Sequence, residues 1–473
     1  LSKETERASV RNHIPFDSKR KYSAVTVNSN GYHLIKGAPE IILSKCKNYV
    51  NSNGSVVPLK SRSYIQKIIK DMTDNAMRVL AIAVSDKPIT KDSDFSNLTL
   101  IGLIGMRDEI RHDAREAVKS VKGAGVQVVM ITGDNRDTAI AIARDCGLLD
   151  SENPQSVLTS DELSRLSDDD IKKRLSSLRV VARALPTDKS RLVRIAQEME
   201  LVVGMTGDGV NDAPALKRAD VGFAMGSGTE VAKEAGDIVI LTHRFSAIAK
   251  AILYGRTIFK SIRKFIIFQL TMNLCAVGVS VIGPLIGIDT PVTVVQMLWV
   301  NIIMDTLAGL AFAGEPPLKE YMNEEPKRRA DPIINRYMLT QICFTGLYTV
   351  ALCVAFLKLP IFHRIFMYGT DSLYYMTAFF ALFIFSGIFN SFSARTHRLN
   401  IAQDLKGNPL FLLIMGIVCV VQVVLIYYGG PAFRTAGIPV HELIGVILIS
   451  LSVIPADFIR KLILRKHGYN KGV

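Results

Sequence analysis

The stretch Leu201–Asp212 reads LVVGMTGDGVND: a mostly apolar run, a Thr-Gly-Asp-Gly turn, and then residues that favour a helix up to Ala219. Val129–Asn135, VMITGDN, repeats the pattern upstream. A short β-branched run that breaks at glycine and opens a helix is one half of a βαβ unit. Outward from these two segments, Val126–Ile131, Arg179–Ala182, Leu201–Met205, Val221–Ala224 and Asp237–Leu241 are predicted strands. Arg111–Lys122, Thr138–Cys146, Asp188–Glu200 and Asp212–Ala219 are the helices predicted between them. The alternation predicts an α/β domain over 100–245, a doubly wound parallel sheet with helices on both faces. Ligands of such sheets sit beyond the carboxyl ends of the strands, where both Thr-Gly-Asp turns fall.

Residues 1–99 have a different texture. Strand patterns at Tyr22–Val27, Tyr32–Ile35, Val56–Leu59 and Leu80–Val84 mix with helical stretches at Pro39–Cys46 and Tyr64–Met77. This predicts an α+β module cut at its start, with a boundary near Leu100. From 246 to 473 the chain is a membrane domain. Six apolar runs, near 265–287, 291–313, 337–358, 375–393, 410–428 and 440–459, are each about long enough to cross a bilayer core of roughly 30 Å.

The net charge of +14 is mostly topological. Lys319, Lys327, Arg328, Arg329 and Arg336 lie between the second and third runs, Arg395, Arg398 and Lys406 between the fourth and fifth, and Arg460, Lys461, Arg465 and Lys466 after the sixth. By the positive-inside rule, both ends and the soluble half are cytoplasmic. No nucleic-acid motif accompanies the charge, so nucleic acid is not an expected partner. The six cysteines show no paired metal spacing, and four of them sit inside apolar runs. The basic piece Arg460–Lys466 is read as side chains snorkelling to the membrane surface, not as a calmodulin-binding tail.

Thr132, Gly133 and Asp134 in the first turn, and Asp208, Asn211 and Asp212 in the second, are the candidate chemical residues. Glycines let the backbone approach an anion, and helix amino ends favour phosphate. Asp208 and Asp212 repel each other unless a cation lies between them, and Mg²⁺ takes a few such oxygens together with phosphate. Lys189, opening a helix after Ala184-Leu185-Pro186-Thr187, supplies a point charge for a transferring phosphoryl group. One Thr-Gly-Asp turn is commonplace; two at strand ends with an intervening lysine are not.

TGDGVNDAPALK, followed by AMGSGTEVAKEAGDIV, resembles the hinge signature of P-type ATPases, of the haloacid-dehalogenase fold class. FDSKRK at Phe16–Lys21, KGAPE at Lys36–Glu40 and MRVLA at Met77–Ala81 are similar to that family's nucleotide-binding domain. The resemblance covers essentially the whole chain. It implies that ATP is a substrate, with Phe16 stacked on adenine and Lys21, Lys36, Arg78 and Arg183 around the nucleotide. It implies that Thr132, Gly133 and Asp134 hold the transferring phosphate, that Lys189 steadies it, that Asp208 ligates Mg²⁺, and that Asn211 and Asp212 complete the loop. Asp108 and Arg111 match the family's interdomain hinge. The family's DKTGT motif, whose aspartate accepts phosphate, occurs nowhere in these 473 residues. The expectation is therefore of a carboxyl-terminal fragment, read as a monomer, that does not turn over alone.

Polar residues inside membrane spans are costly and usually functional. Asn273 stands in the first run, and Asn301 and Asp305, four apart, in the second. A carboxylate with amide oxygens suits Ca²⁺. WVNIIMDTLAGLAFAGEPP resembles calcium pumps of the plasma-membrane type, which implies Ca²⁺ as the transported ion and a multi-pass protein of the cell membrane. Where two-ion pumps of the sarcoplasmic reticulum type carry ligand oxygens, this chain has Ala276, Met304 and Gly387, which implies one Ca²⁺ per ATP. The rival readings are a pump for another divalent cation such as Mn²⁺, and a truncated, non-catalytic regulatory partner.

Overall fold

Arg78–Ser85, RVLAIAVS, alternates exposed and buried residues along its length, the period of a strand with one face on a core. The computed structural model describes residues 10–17, 20–27, 33–74, 77–87, 96–106, 113–149, 154–242, 244–366, 372–403 and 405–467. They form two units, Leu1–Ala249 with Glu324–Arg329, and Lys250–Asn323 with Ala330–Val473.

In the first unit, β1 (Val10–Asp17), β2 (Tyr22–Val27), β3 (His33–Gly37), β4 (Cys46–Val50), β5 (Val56–Pro58), β6 (Arg78–Ser85) and β7 (Leu98–Met106) make one sheet, ordered β1-β2-β3-β6-β7-β4-β5. Only β4 and β7 pair in parallel. Helix α1 (Pro39–Lys45) starts on proline, which suits a first helical turn, and buries Ile42 and Leu43. The core gathers them with Ile14, Tyr22, Ala24, Ile35, Cys46, Ala81, Ala83, Leu98 and Leu100. Ile65 and Ile69 of α2 (Ser63–Asp74) pack against it. The sheet runs past the expected boundary at Leu100. β7 is bonded on one side to β6 and on the other to β4, so its residues to Met106 belong to this module.

The following segment carries α3 (Ala114–Gly123), β8 (Met130–Ile131), α4 (Arg136–Asp145), β9 (Val157–Thr159), α5 (Ser160–Arg165), α6 (Asp168–Leu175) and β10 (Val180–Ala182). It goes on through α7 (Pro186–Glu198), β11 (Gly204–Gly207), α8 (Ala213–Arg218), β12 (Val221–Met225), α9 (Glu230–Ala235) and β13 (Ile238–Ile240). All strands pair in parallel, joined by helical crossovers, as the haloacid-dehalogenase class requires. The sheet is in two pieces, β8-β10-β9 and β11-β12-β13. β8 and β11 are therefore outermost strands, and each is shorter or later than the apolar run that predicts it, because residues 126–129 and 201–202 find no ladder partner. Arg329 extends this unit by pairing with Asp220.

Among the described residues, the second unit contains six helices long and apolar enough to cross a membrane: Ser246–Leu285, Val294–Ala313, Arg336–Lys358, Ser372–Arg395, Pro409–Tyr428 and Val440–Lys466. The first belongs to this unit from Lys250 onward. The fourth is the most deeply buried; its Tyr375 stacks on Phe356 of the third, with centroids 5.2 Å apart and planes 9° from parallel. Ion pairs tie helix ends together. Glu315 takes Lys264 Nζ at 2.6 Å, Arg395 Nε at 3.4 Å and an Asn408 amide bond at 3.0 Å.

The carboxyl-terminal basic piece departs from the expectation of snorkelling. Arg460 and Lys461 turn inward, because Asp457 waits for them: Arg460 Nε and Lys461 Nζ lie 2.7 and 2.8 Å from its oxygens. Arg460 also donates to Tyr337 Oη and Lys461 to the Ser393 carbonyl. Arg465 and Lys466 remain exposed. Asp457 is 1% exposed, so Asp457→Ala strands two buried cations. The expected loss is about 3–5 kcal/mol, the usual cost of breaking a buried pair, read as a lowered thermal midpoint of the detergent-solubilised chain. A loss under about 1 kcal/mol, the range of exposed pairs, would show that both cations reach solvent instead.

Candidate functional site

Four of the nucleotide candidates fall at one end of four neighbouring strands. Asp17 pairs with Tyr22, Tyr22 with Gly37, and Gly37 with Ala81. Phe16, Lys21, Lys36 and Arg78 each stand within three residues of that row. Phe16 is 63% exposed, an aromatic face with no core to fill. Gly37 is obligatory for close approach: a Cβ there would lie 2.6 Å from the Lys21 carbonyl oxygen. The next amide, of Ala38, donates to that oxygen at 2.9 Å. Lys21 itself has φ 60°, a left-handed backbone rarely taken by side-chain-bearing residues.

The phosphoryl candidates follow the carboxyl ends of β8, β10 and β11. In the first loop, Thr132 Oγ1 donates to Asp134 Oδ2 at 2.9 Å and accepts the Asp134 amide at 3.2 Å. Asn135 caps α4 by accepting the Thr138 amide at 2.8 Å. Arg183, at φ 55°, donates its N–H to the Asp134 carbonyl at 2.8 Å, and Ala184 donates to the Thr132 carbonyl. Arg78 Nε lies 4.0 Å from Asp134 Oδ1, and Arg183 Nη2 lies 2.6 Å from Glu40 Oε1.

The second loop is organised by Asp212, which is 6% exposed. Its Oδ1 accepts from Lys189 Nζ at 2.5 Å, and its Oδ2 from the amides of Asp208 and Gly209 at 3.2 Å. Burial raises the Asp212 pKa, but the Lys189 bond and the two amides outweigh it and hold the carboxyl below its usual range. The charge that answers Asp212 is the Lys189 ammonium, and Asp208 and Asn211 stay exposed. No group of three or more His, Cys, Asp or Glu among the described residues is placed to hold a metal. Asp208 fits Mg²⁺ only as one ligand beside phosphate and water, the usual habit of that ion.

The structure thus gathers Lys189, Asp208 and Asp212 into one bonded group and Thr132, Asp134, Arg183 and Arg78 into another. The β10–α7 connection, residues 183–185, joins both groups. Gly133 lies in the first loop with open space over its Cα. Glu40 was legible only as part of a motif; its partner is 143 positions away, a separation that no spacing rule reaches. Asp108 and Arg111 lie outside the described residues.

In the membrane unit, Asn273 is half-buried in the first helix and Asn301 is exposed. The second helix changes to a π-helix over Ile302–Ala308, with Asn301 at the junction and Asp305 within the π segment. Such segments recur at functional sites. Ala276 is buried, and a Cβ on Gly387 would lie 2.7 Å from Met272 Cε. Phe268, Val300, Ile384 and Ile388 line the same small space.

Replacing Lys189 tests the second loop. The stability that Asp212 contributes is complete above an ordinary carboxyl pKa near 3.9 and is lost as pH falls through its lower folded value. In Lys189→Met the folded pKa rises, so the deficit is full at pH 7 and shrinks in acid. Amide exchange of residues 208–213 should accelerate about 100-fold at pH 7, matching about 3 kcal/mol for a broken buried pair, and clearly less at pH 4. Equal acceleration at both values would show that Lys189 does not act through the Asp212 charge.

Residues 1–113 match the family model described as P-type ATPase, cytoplasmic domain N. Residues 195–252 match haloacid dehalogenase-like hydrolase, and 289–463 match cation transporting ATPase, C-terminus. The chain is 35% identical to plasma membrane-type calcium-transporting ATPase 9 of Arabidopsis thaliana, over 95% of this chain and 44% of that protein. It is 36% identical to calcium-transporting ATPase PAT1 of Dictyostelium discoideum, over 96% of this chain and 44% of that protein. With plasma membrane calcium-transporting ATPase 3 of Homo sapiens it shares 36% identity, over 90% of this chain and 38% of that protein. The chain therefore spans less than half the length of these relatives. It belongs to the P-type cation-transporting ATPases and, within them, is similar to the plasma-membrane calcium-transporting type.

Proposed function

We propose that this chain is the carboxyl-terminal part of an ATP-driven Ca²⁺ exporter of the plasma membrane, with its soluble unit in the cytoplasm. Phe16, Lys21, Lys36, Arg78 and Arg183 hold the nucleotide. Thr132, Gly133 and Asp134 hold the transferring phosphate, Lys189 steadies its charge, and Asp208 ligates Mg²⁺, with Asn211 and Asp212 completing the loop. The ion supplies charge neutralisation to the phosphate oxygens. The accepting carboxylate comes from sequence outside these residues.

One observation carries this reading. β8 and β11 are both outermost strands in their sheets, and a Thr-Gly-Asp sequence lies at the carboxyl end of each, Thr132–Asp134 just after β8 and Thr206–Asp208 closing β11. Unpaired strand edges invite another strand. A single parallel strand bonded to both would complete the sheet and bring its carboxyl end between the two loops. An aspartate there would sit between the phosphate loop and Lys189, ready to form and release an acyl phosphate.

For transport, Asn273, Asn301 and Asp305 supply Ca²⁺ ligands in the membrane. Ca²⁺ takes six to eight oxygens, and the apolar packing of Met272 against Gly387, beside Ala276, supports a single ion per ATP. The test uses the full-length pump. Asp305→Asn should abolish Ca²⁺-dependent formation of acid-stable phosphoenzyme from γ-labelled ATP, and Asn273→Ala should weaken it by less. The chain of 473 residues alone should take up no acid-stable label. Equilibrium ⁴⁵Ca binding should reach one ion per phosphorylation site. Two ions per site, or label on this chain alone, would overturn the respective part of the reading.

A further inference from the structure

Glu40 has no task in the phosphoryl-transfer chemistry, yet its carboxylate makes one of the shortest contacts in the first unit. It stands in the first turn of α1, directly after the Pro39 that opens the helix. Its Oε1 accepts from Arg183 Nη2 at 2.6 Å. Arg183 is held from its other side: its left-handed backbone donates to the carbonyl of Asp134. Non-glycine residues keep that conformation where their surroundings impose it, often at ligand clamps. The backbone of Arg183 is thus anchored at the Thr132–Asp134 loop, and its guanidinium reaches across to Glu40. Two further contacts join the sheet of β1–β7 to the segment that follows it: Arg78 faces Asp134 at 4.0 Å, and Thr138 Oγ1 donates to the Met77 carbonyl at 3.3 Å.

We propose that Glu40 is a specificity-determining residue of the nucleotide site, a carboxylate latch that engages Arg183 until a phosphate-bearing nucleotide takes the guanidinium from it. This rests on the nucleotide site proposed above. The physical basis is competition of two anions for one cation. A phosphate approaching Arg183 meets the Glu40 charge at close range, and the guanidinium binds carboxylate and phosphate by the same planar fork. The pair is half exposed, 32% for the Arg183 side chain and 52% for Glu40. Pairs this open shift an equilibrium by a factor of about five at most. That is enough to hold the elements together and weak enough for a polyphosphate to displace. Removing the Glu40 charge therefore favours nucleotides in proportion to their phosphates and leaves the adenosine contacts untouched.

Equilibrium dialysis of the purified full chain against Mg²⁺-free ATP and against adenosine tests this. Glu40→Gln keeps size and hydrogen bonding while removing charge, and Glu40→Asp keeps charge while shortening reach. Glu40→Gln should bind ATP about 3-fold more tightly with adenosine affinity unchanged, and Glu40→Asp should lie between it and the unaltered chain. In an Arg183→Gln background the Glu40→Gln gain should vanish. Unchanged or weaker ATP binding by Glu40→Gln, an equal change for adenosine, or a gain that survives Arg183→Gln would each overturn the latch alone. If the unaltered chain binds neither ligand, the nucleotide-site reading falls and the latch falls with it.

Discussion

An ammonium 2.5 Å from a buried carboxylate sets the geometry of the whole proposed phosphoryl-transfer region. Lys189 stands in the first turns of α7, which follows β10 and so belongs to one three-stranded sheet. Asp212 closes the loop after β11 and belongs to the other. Neither sheet shares a ladder hydrogen bond with the other, so this pair and the packing of α7 against α8 carry the registration between them. Burying a carboxylate costs several kcal/mol unless charge and hydrogen bonds answer it. Asp212 is answered three times, by one ammonium and two amides. Those amides belong to Asp208 and Gly209, so satisfying Asp212 also folds the loop that presents Asp208. Gly207 completes the constraint, because a Cβ there would lie 2.4 Å from that of Asp212.

The membrane unit solves the same problem at its helix ends. Inside hydrocarbon, backbone groups must be satisfied within the helix, which leaves side chains to register one helix against another. Glu315 collects Lys264, Arg395 and Asn408 from three other helices or their flanks, and Asp457 collects Arg460 and Lys461 beside Tyr337 and Ser393. Each cluster has more cation than anion, so the carboxylate is the member that cannot be spared. Between these clusters the helices meet through aromatic stacks and small residues, which pack in many registers.

Much of this was legible from residues alone, for a local reason. The Thr-Gly-Asp turns announce themselves because a glycine break between a β-branched run and a helix is a sequence event within ten residues. The six spans are legible because hydrophobic length is a property of a single segment. What was not legible depends on partners distant in sequence. β7 looked like the start of the next domain until β4 and β6 flanked it, and β8 and β11 were overcalled because their apolar runs promised ladders that only neighbouring strands can supply. Arg460 and Lys461 resembled surface-seeking cations because nothing nearby marks Asp457 as buried. The π segment around Asp305 has no glycine or proline to betray it, and the left-handed backbone of Arg183 appears at a residue type that rarely adopts one.

Several of these strained or costly features fall at the proposed site, and that concentration has a physical sense. Lys21 and Arg183 both hold left-handed backbones, and both are cations proposed to meet the nucleotide. A flexible loop could present the same charges without strain, but it would lose conformational freedom on each binding event. Here the freedom is lost on folding: the carbonyl of Lys21 is fixed by the Ala38 amide, and the amide of Arg183 by the Asp134 carbonyl. The side chains beyond these anchors stay partly exposed, so little desolvation opposes an incoming anion. Phe16 follows the same logic, since a large apolar face left in water is unfavourable until a flat ligand covers it. Rigid backbone under accessible charge and an uncovered ring describes a surface prepared for a charged, planar ligand, and the folded core meets that cost once for every cycle of use.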